Sequence, residues 1–339
     1  MNQKEQPIIG ESPAFLTVLE EVSRAAALHR PVLIVGERGT GKEVVAERLH
    51  FLSQRWDGPL VRVNCAAISE SLLESELFGH EAGAFTDAAR MRKGRFEQAD
   101  GGSLFLDELA STSMAVQEKI LRVIEYGQFE RLGASRAVEV DVRLIGASNV
   151  DLPALVEKGE FRADLLDRLA FDVITLPPLR HRHEDILPLA EHFAMRMSRE
   201  LGRELFAGFA GEAVDALHQH AWPGNVRELK NTVERAVYRL ESGDEPVAEL
   251  QFDPFESPFR PGRDSQPGLR PESNHPPFAE PSFSLRRHLD QQERRLTVAA
   301  LEQCGGHQGK AARLLGLTYD QFRGILRKHD LPGKPSNQD

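Results

Sequence analysis

A glycine-rich loop, Gly36 to Glu43 (GERGTGKE), follows the apolar run Val32 to Val35 and opens a helical pattern at Lys42. This succession constrains the fold more than any other feature, because strand, glycine loop and helix in that order belong to a parallel α/β sheet with crossover helices. Glycines let backbone N–H groups converge on one point, the helix N-terminus adds positive potential, and a terminal lysine reaches the β- and γ-phosphates of a nucleotide. Gly36, Glu37, Arg38, Gly39, Thr40, Gly41, Lys42 and Glu43 are therefore the candidate ATP-binding set. The generic motif places Ser or Thr after the lysine to meet magnesium. Glu43 stands there instead, which leaves Mg2+ to phosphate oxygens, water and a carboxylate elsewhere. The alternative is a glycine turn that merely joins strand to helix.

The carboxylate comes from Leu104-Phe105-Leu106-Asp107-Glu108, a buried-strand pattern whose acidic end falls at the same sheet edge as the glycine loop. Asp107 is the candidate magnesium ligand, and Glu108 the candidate base that polarises the attacking water. An acidic pair capping a strand is common, so its weight comes from the company of the loop. Asn64 ends the run Leu60 to Val63, where its amide either holds Glu108 in a resting position or simply terminates a strand.

Five short, mostly apolar runs, Val32 to Val35, Leu60 to Val63, Leu104 to Leu106, Val142 to Ala147 and Phe171 to Leu176, alternate with helical patterns. They predict an α/β subdomain over 1–176. After Pro177-Pro178 the runs Ile186 to Leu201, Glu212 to His220 and Asn225 to Leu240 have helical spacing, predicting an all-helical subdomain over 177–243. The stretch 244–283 holds nine of the 20 prolines and reads as an extended linker. Over 284–339 a helical pattern from Leu285 to Gln303 is broken at Gly305-Gly306 and resumes as Gln308 to Leu315 and Thr318 to His329, divided at Gly316. This is helix, tight turn, helix. Thr318 and Gln321 fit a capping box, and Leu314, Leu315, Leu317, Phe322, Ile325 and Leu326 form the expected core. Thr318, Tyr319, Gln321, Arg323, Arg327 and Lys328 are left as the set facing double-stranded DNA.

Charge agrees with that division. Leu285 to Lys334 carries ten basic against five acidic residues, whereas the whole 339-residue chain has a net charge of −10. Nucleic-acid contact is thus expected at the tail alone, the alternative being a small helical dimerisation module. Cys65 and Cys304 lack metal-ligand spacing, and no apolar run approaches the roughly 20 residues that span a bilayer, so a cytoplasmic location is expected.

Taken in order, GERGTGKE, Asn64, FGHEAGAFTDA (Phe78 to Ala88), LFLDE, FRADLLDRL (Phe161 to Leu169), LPPLR (Leu176 to Arg180) and WPGNVREL (Trp222 to Leu229) resemble the AAA+ domain of bacterial enhancer-binding proteins. These are the ATPases that activate RNA polymerase carrying sigma-54. The resemblance runs from about Ile8 to Leu240. It implies that Glu at position 43 is usual, and that Arg162 and Arg168 are arginine fingers reaching the γ-phosphate of a neighbouring subunit in a ring, typically a hexamer. It makes Arg227 the lid's sensor arginine and puts Ser148-Asn149 in the sensor-one place, where Thr-Asn is more common. HQGKAARLLGLTYDQFRGILRKH resembles the Fis-type helix-turn-helix that ends these activators, with the preceding helix pairing two units.

By composition, Gly83 to Ala88 reads as an ordinary turn with Phe85 tucked into the core. In the family this hexapeptide is the GAFTGA loop that contacts sigma-54, which makes Gly83, Ala84, Phe85, Thr86, Asp87 and Ala88 the expected polymerase contacts. Asp87 replaces a glycine and adds charge; Asp tolerates left-handed geometry better than most residues. The ATPase pattern starts almost at Met1 of this sequence, so control is expected from expression or from an inhibitor in trans. That layout resembles the phage-shock branch of the family, held inactive by PspA, with Trp56 in the corresponding inhibitor-contact loop. Two other readings remain open: a DNA-binding regulator that no longer serves sigma-54, for which Asp87 speaks, and a remodeller of another target whose C-terminal domain is a protein adaptor.

Overall fold

The computed structural model describes residues 8–84, 90–241, 243–257, 260 and 285–329. Along the chain the strands are β1 (Val32–Val35), β2 (Leu60–Asn64), β3 (Gly79–His80), β4 (Arg92–Lys93), β5 (Ser103–Asp107), β6 (Gln128–Glu130), β7 (Ala137–Glu139), β8 (Arg143–Ser148) and β9 (Val173–Thr175). The helices of the first unit are α1 (Pro13–Ala26), α2 (Lys42–Phe51), α3 (Glu70–Phe78), α4 (Arg95–Gln98), α5 (Met114–Tyr126), α6 (Leu152–Glu157), α7 (Ala163–Leu169), α8 (Ile186–Glu200), α9 (Gly211–Gln219) and α10 (Asn225–Arg239). Five strands make one parallel sheet in the order β2-β5-β8-β1-β9. The five runs expected from the sequence are those five strands.

Their near-continuous apolar sequences follow from burial on both faces. Alternate residues enter different cores: Leu33, Leu104, Leu106 and Leu144 pack with α3, α5 and α7, whereas Val32, Ile34, Phe105 and Ile145 pack with α1 and α2. Register then does functional work, because Val35 pairs with Ser148 and Asn64 with Asp107 along one sheet edge. Two antiparallel pairs, β3 with β4 and β6 with β7, lie outside this sheet. Their two- and three-residue strands carry no periodicity that a sequence reading can detect.

The chain leaves β9 into helices α8, α9 and α10, which pack around Trp222. Trp222 is fully buried and its indole N–H donates to the Leu217 carbonyl at 2.8 Å. This helical lid extends beyond the expected limit at 243. Val247 exchanges backbone hydrogen bonds with Gly208 and Ala210, and Leu250 and Phe252 join the same core. Proline content placed the linker too early; three apolar residues spaced among prolines still bury as one cluster. No helix of the described residues is long and apolar enough to cross a membrane.

The C-terminal unit contains α11 (Leu285–Gln303), α12 (Gln308–Leu314) and α13 (Tyr319–Lys328). Thr318 and Gln321 form the expected capping box, with Thr318 N–H donating to Gln321 Oε1 at 2.9 Å. Ala300, Ala311, Ala312, Phe322 and Leu326 make the core, joined by Leu315 and Leu317. Leu314 does not belong to it. At 54% exposure it turns outward, because the small residues Ala311 and Ala312 already bring α12 against its neighbours.

One long-range contact fixes how the lid meets the sheet. The buried Asp185 carboxylate accepts from Glu11 N–H at 2.6 Å, Ser12 N–H at 2.8 Å and the Ser12 hydroxyl at 2.7 Å, just where α1 begins. Asp185→Ala leaves those donors without a partner. It is expected to lower unfolding free energy by about 2–3 kcal/mol, read by chemical denaturation; an unchanged midpoint would contradict the contact.

Candidate functional site

The glycine loop leaves β1 at the sheet edge, anchored where Gly36 N–H donates to the Ser148 carbonyl at 3.1 Å. Gly39 (φ 78°) and Gly41 (φ 103°) occupy left-handed backbone that side chains resist, which curls the loop over the start of α2. Lys42 Nζ donates to the carbonyls of Gly36 (2.8 Å) and Glu37 (3.0 Å), holding the curl from inside. Burial draws this ammonium below its ordinary range, opposed by the nearby charges of Asp107 and Glu108.

A cavity of about 390 Å3 opens beside the loop. Thr40, Lys42, Glu43 and Asp107 form its polar wall, while Ile8, Ile9, Phe15, Leu189, Phe193 and Val226 form an apolar one. Arg227 and Lys230 of α10 and Arg196 of α8 add positive charge from the lid. Cations, loop and an apolar recess fit a nucleotide's phosphates and base.

The lid is bolted to the loop. Asn225, fully buried with φ 53°, donates from Nδ2 to the Arg38 carbonyl (3.0 Å) and Glu37 Oε2 (3.1 Å), and accepts from Leu179 N–H (2.8 Å). Val226 N–H donates to the Gly39 carbonyl at 3.0 Å. A Cβ on Gly39 would stand 2.3 Å from the Gly224 carbonyl, so this approach requires glycine. Arg180 makes two bonds to Glu37, at 2.6 and 2.9 Å, and Arg182 donates to the Thr40 carbonyl at 2.9 Å. Glu37 is held down to about 2 by the bonds from Arg180 first and Asn225 second.

Several expected side chains point elsewhere than anticipated. Asn64 Nδ2 faces Asp107 Oδ2 at 3.4 Å, and its Oδ1 accepts from Ala66 and Ala67 N–H, so in this structure it holds Asp107 rather than Glu108. Glu108, with left-handed φ 52°, pairs instead with Arg38 at 3.8 Å. Its own N–H donates to Asp107 Oδ1 at 2.9 Å. The Ser148 hydroxyl is turned onto the backbone of Val150, donating to its carbonyl at 2.9 Å, and Asn149 follows it at the end of β8. Glu43 pairs with Arg62 at 3.3 Å on the exposed side of α2.

Arg162 and Arg168 do not line the cavity. Arg162 forms two bonds with Asp164 (2.7 and 3.0 Å) and Arg168 one with Glu125 (2.9 Å). Of the hexapeptide, Gly83 and Ala84 are described, whereas Phe85, Thr86, Asp87 and Ala88 lie outside the described residues. The loop's base rests on a node that the sequence did not reveal. Arg131, beyond β6, binds Glu97 (2.7 and 2.9 Å) and Glu81 (2.7 Å), and these bonds hold Glu97 below the usual carboxylate range. Only tertiary contact brings these three together, so no sequence spacing announces them.

Trp56 is 63% exposed, in contrast to buried Trp222. On α13, Tyr319, Gln321, Arg323 and Arg327 are exposed, as is Thr318 at its cap. Lys328 is engaged by Asp290 and Glu293 of α11, both at 2.6 Å.

Fold and site together define an AAA+ ATPase carrying a helix-turn-helix domain. A family described as "Sigma-54 interaction domain" matches residues 8–175, "AAA+ ATPase lid domain" matches 180–260, and "Bacterial regulatory protein, Fis family" matches 288–329. The Psp operon transcriptional activator of Escherichia coli K12 is 54% identical over 98% of this chain and 100% of its own. The Nif-specific regulatory protein of Azotobacter vinelandii is 46% identical over 94% of this chain and 58% of its own length. This chain therefore spans the whole of the first and about three-fifths of the second. Crystal structures of NtrX from Brucella abortus with ATP and with ADP are each 33% identical over 96% of this chain and 70% of theirs, with TM-scores of 0.69 and 0.68. The chain belongs to the family of sigma-54-dependent, enhancer-binding transcriptional activators, and it is closely similar to the Psp operon activator.

The Glu37 interaction with Arg180 and Asn225 has a defined pH dependence. A carboxyl depressed from 4.5 to about 2 stabilises the docked lid fully above pH 4.5, and that contribution is lost as pH falls toward 2. Hydrogen exchange at Val226 N–H, corrected for intrinsic rate, should lose protection through that window. Glu37→Gln should begin less protected and respond little to acid; a protein whose Val226 protection ignores both changes would refute the bolt.

Proposed function

We propose that this protein binds enhancer DNA through its C-terminal unit and uses ATP hydrolysis to remodel the closed complex of sigma-54 RNA polymerase into an open one, at a phage-shock operon and under negative control by PspA. The observation that carries the reading is full-length similarity to the Psp operon activator joined to a glycine loop, an acidic pair and a lid around one cavity.

The residues divide the chemistry among them. Lys42 exchanges its loop carbonyls for the β- and γ-phosphate oxygens, while the loop's backbone N–H groups cradle the remainder. Thr40 and Arg227 flank the same phosphates from loop and lid. Glu108 polarises the attacking water. The hard oxygen donors of Asp107, on the cavity wall beside Lys42, suit Mg2+, which when bound would neutralise phosphate charge. The family resemblance assigns Arg162 and Arg168 to a neighbour's γ-phosphate, and their place off the cavity of their own chain accords with it. Each active site would then be completed by assembly, in a ring of six as in the family. An arginine arriving in this way can raise turnover by several powers of ten.

Movement at the γ-phosphate is passed to Gly83-Ala84 and onward to Phe85, Thr86, Asp87 and Ala88 at sigma-54. The exposed, basic face of α13 suits the major groove, with Thr318, Tyr319, Gln321, Arg323 and Arg327 presented and Lys328 braced against α11. Leu289 and Leu296 of α11, 57% and 58% exposed and seven residues apart, support pairing of two such units. We place the subdomain limits near 176, 256 and 284, the second moved from 243 because Val247, Leu250 and Phe252 pack with the lid. A cytoplasmic location accords with a transcription factor whose described helices include no membrane span.

Glu108→Gln should bind ATP and support neither its cleavage nor open-complex formation on a sigma-54 promoter, whereas Lys42→Ala should fail to bind. Open complexes formed at wild-type rate by Glu108→Gln would remove hydrolysis from the mechanism. Exposed Trp56 supports the inhibitor contact. Trp56→Ala should leave ATPase activity intact and reduce PspA pull-down at least about tenfold, the scale of a tryptophan hot spot. Undiminished capture would place PspA elsewhere.

A further inference from the structure

Helix α13 spends part of its expected reading set on itself. Gln321 Oε1 accepts from Thr318 N–H at 2.9 Å and from the Thr318 hydroxyl at 3.0 Å, while Thr318 Oγ1 accepts from Gln321 N–H at 3.3 Å. A glutamine reads adenine by offering its oxygen and nitrogen together, so Gln321 cannot make that pair without opening the cap.

The opposite side of the helix from its core offers a different set. Phe322 and Leu326, four residues apart, are buried, which turns Asp320, Gly324 and Arg327 outward as one exposed stripe with Arg323 beside it. Asp320 is the one carboxylate of α13, and it makes no ion pair among the described residues although Arg323 stands three positions on. Gly324 occupies the helix interior, where glycine is less stable than alanine. A Cβ built there meets nothing within 4 Å, and its backbone is not left-handed, so neither packing nor conformation in the described residues calls for glycine. Bare backbone at the middle of an exposed face lets a partner come closer than any side chain would.

We propose that Asp320 and Gly324 are the base-reading centre of α13: Gly324 lets the helix seat deeply in the major groove, and the Asp320 carboxylate accepts a hydrogen bond from the N4 amino group of a cytosine. This rests on α13 being the DNA-facing helix. The choice of cytosine follows from donors and acceptors. A carboxylate only accepts, and in the major groove adenine N6 is flanked by two acceptors, N7 and thymine O4, whereas cytosine N4 has one such neighbour, guanine O6. Charge agrees, because phosphates would repel Asp320 while attracting Arg323 and Arg327, which leaves the groove floor as the carboxylate's place. A first-turn aspartate also suits the positive end of its own helix, but that role gives Gly324 no purpose.

Selection from a randomised duplex library with the full-length protein gives the preferred site, and fluorescence anisotropy at one fixed salt concentration then compares it with single-base variants and with unrelated duplex. Wild type should favour cytosine about tenfold or more at one position of each half-site. In Asp320→Ala that preference should fall to about twofold or less, with the other positions unchanged. Affinity for unrelated duplex should rise at the same time, since a negative charge leaves the face; structural damage would lower it. Asp320→Asn should move the same position toward adenine, which an amide reads through N6 and N7. Gly324→Ala should keep or raise the thermal midpoint of the C-terminal unit while weakening the selected site about tenfold. A selected site without that cytosine, a cytosine preference that survives Asp320→Ala, or a Gly324→Ala protein with wild-type affinity would overturn the proposal. Wild-type protein that binds no duplex at all would instead bring down the DNA-facing assignment of α13 on which it rests.

Discussion

The structure depends on the seating of Asn225 against the glycine loop. A helix N-terminus, a strand's exit loop and the segment leaving β9 meet at one buried amide, which satisfies the Arg38 carbonyl, a Glu37 carboxylate oxygen and the Leu179 N–H together. Asn suits the position twice over, through its paired donor and acceptor and its tolerance of left-handed backbone. Glycine at 39 is the complementary requirement, since the Gly224 carbonyl occupies the space of any side chain. Phosphate loop and lid are thus one mechanical element, and whatever a nucleotide does to one is felt by the other.

Electrostatics then sorts the site's cations by what restrains them. Lys42 is tied to loop carbonyls, which a phosphate can replace with little rearrangement. Arg180 is tied to Glu37 and serves the lid. Arg162 pairs with Asp164 and Glu118, and Arg168 with Glu125, all within their own chain. Arg131 ties Glu81 to Glu97 and braces the root of the loop that carries Gly83 and Ala84. Arginine is used in three ways here, and its partners decide which.

Much of this was legible from residues alone. The five sheet strands show because burial on both faces demands unbroken apolar runs, and the phosphate loop shows because only glycine tolerates its curl. The capping box at Thr318 is readable because its bonds are local, three residues apart. Other placements have the opposite property. Asn64 leaves two readings open, a hold on Glu108 or a plain strand end, and strand register sets it beside Asp107. Ser148 keeps its hydroxyl for the backbone two residues on, and Leu314 yields its place in the core to alanines. The lid's continuation through Val247, Leu250 and Phe252 was hidden by the prolines around them.

The sequence by itself determined that a nucleotide loop, an acidic strand end, a helical lid and a helix-turn-helix occur in this order, because each is written in short-range patterns of backbone freedom and burial. Tertiary structure alone decided which charges meet: Arg38 with Glu108, Glu37 with Arg180, Arg131 with Glu81 and Glu97. The physical reason is range. Propensity and periodicity act over a few residues, whereas the partner of a charge is chosen by packing between segments that are far apart in the chain.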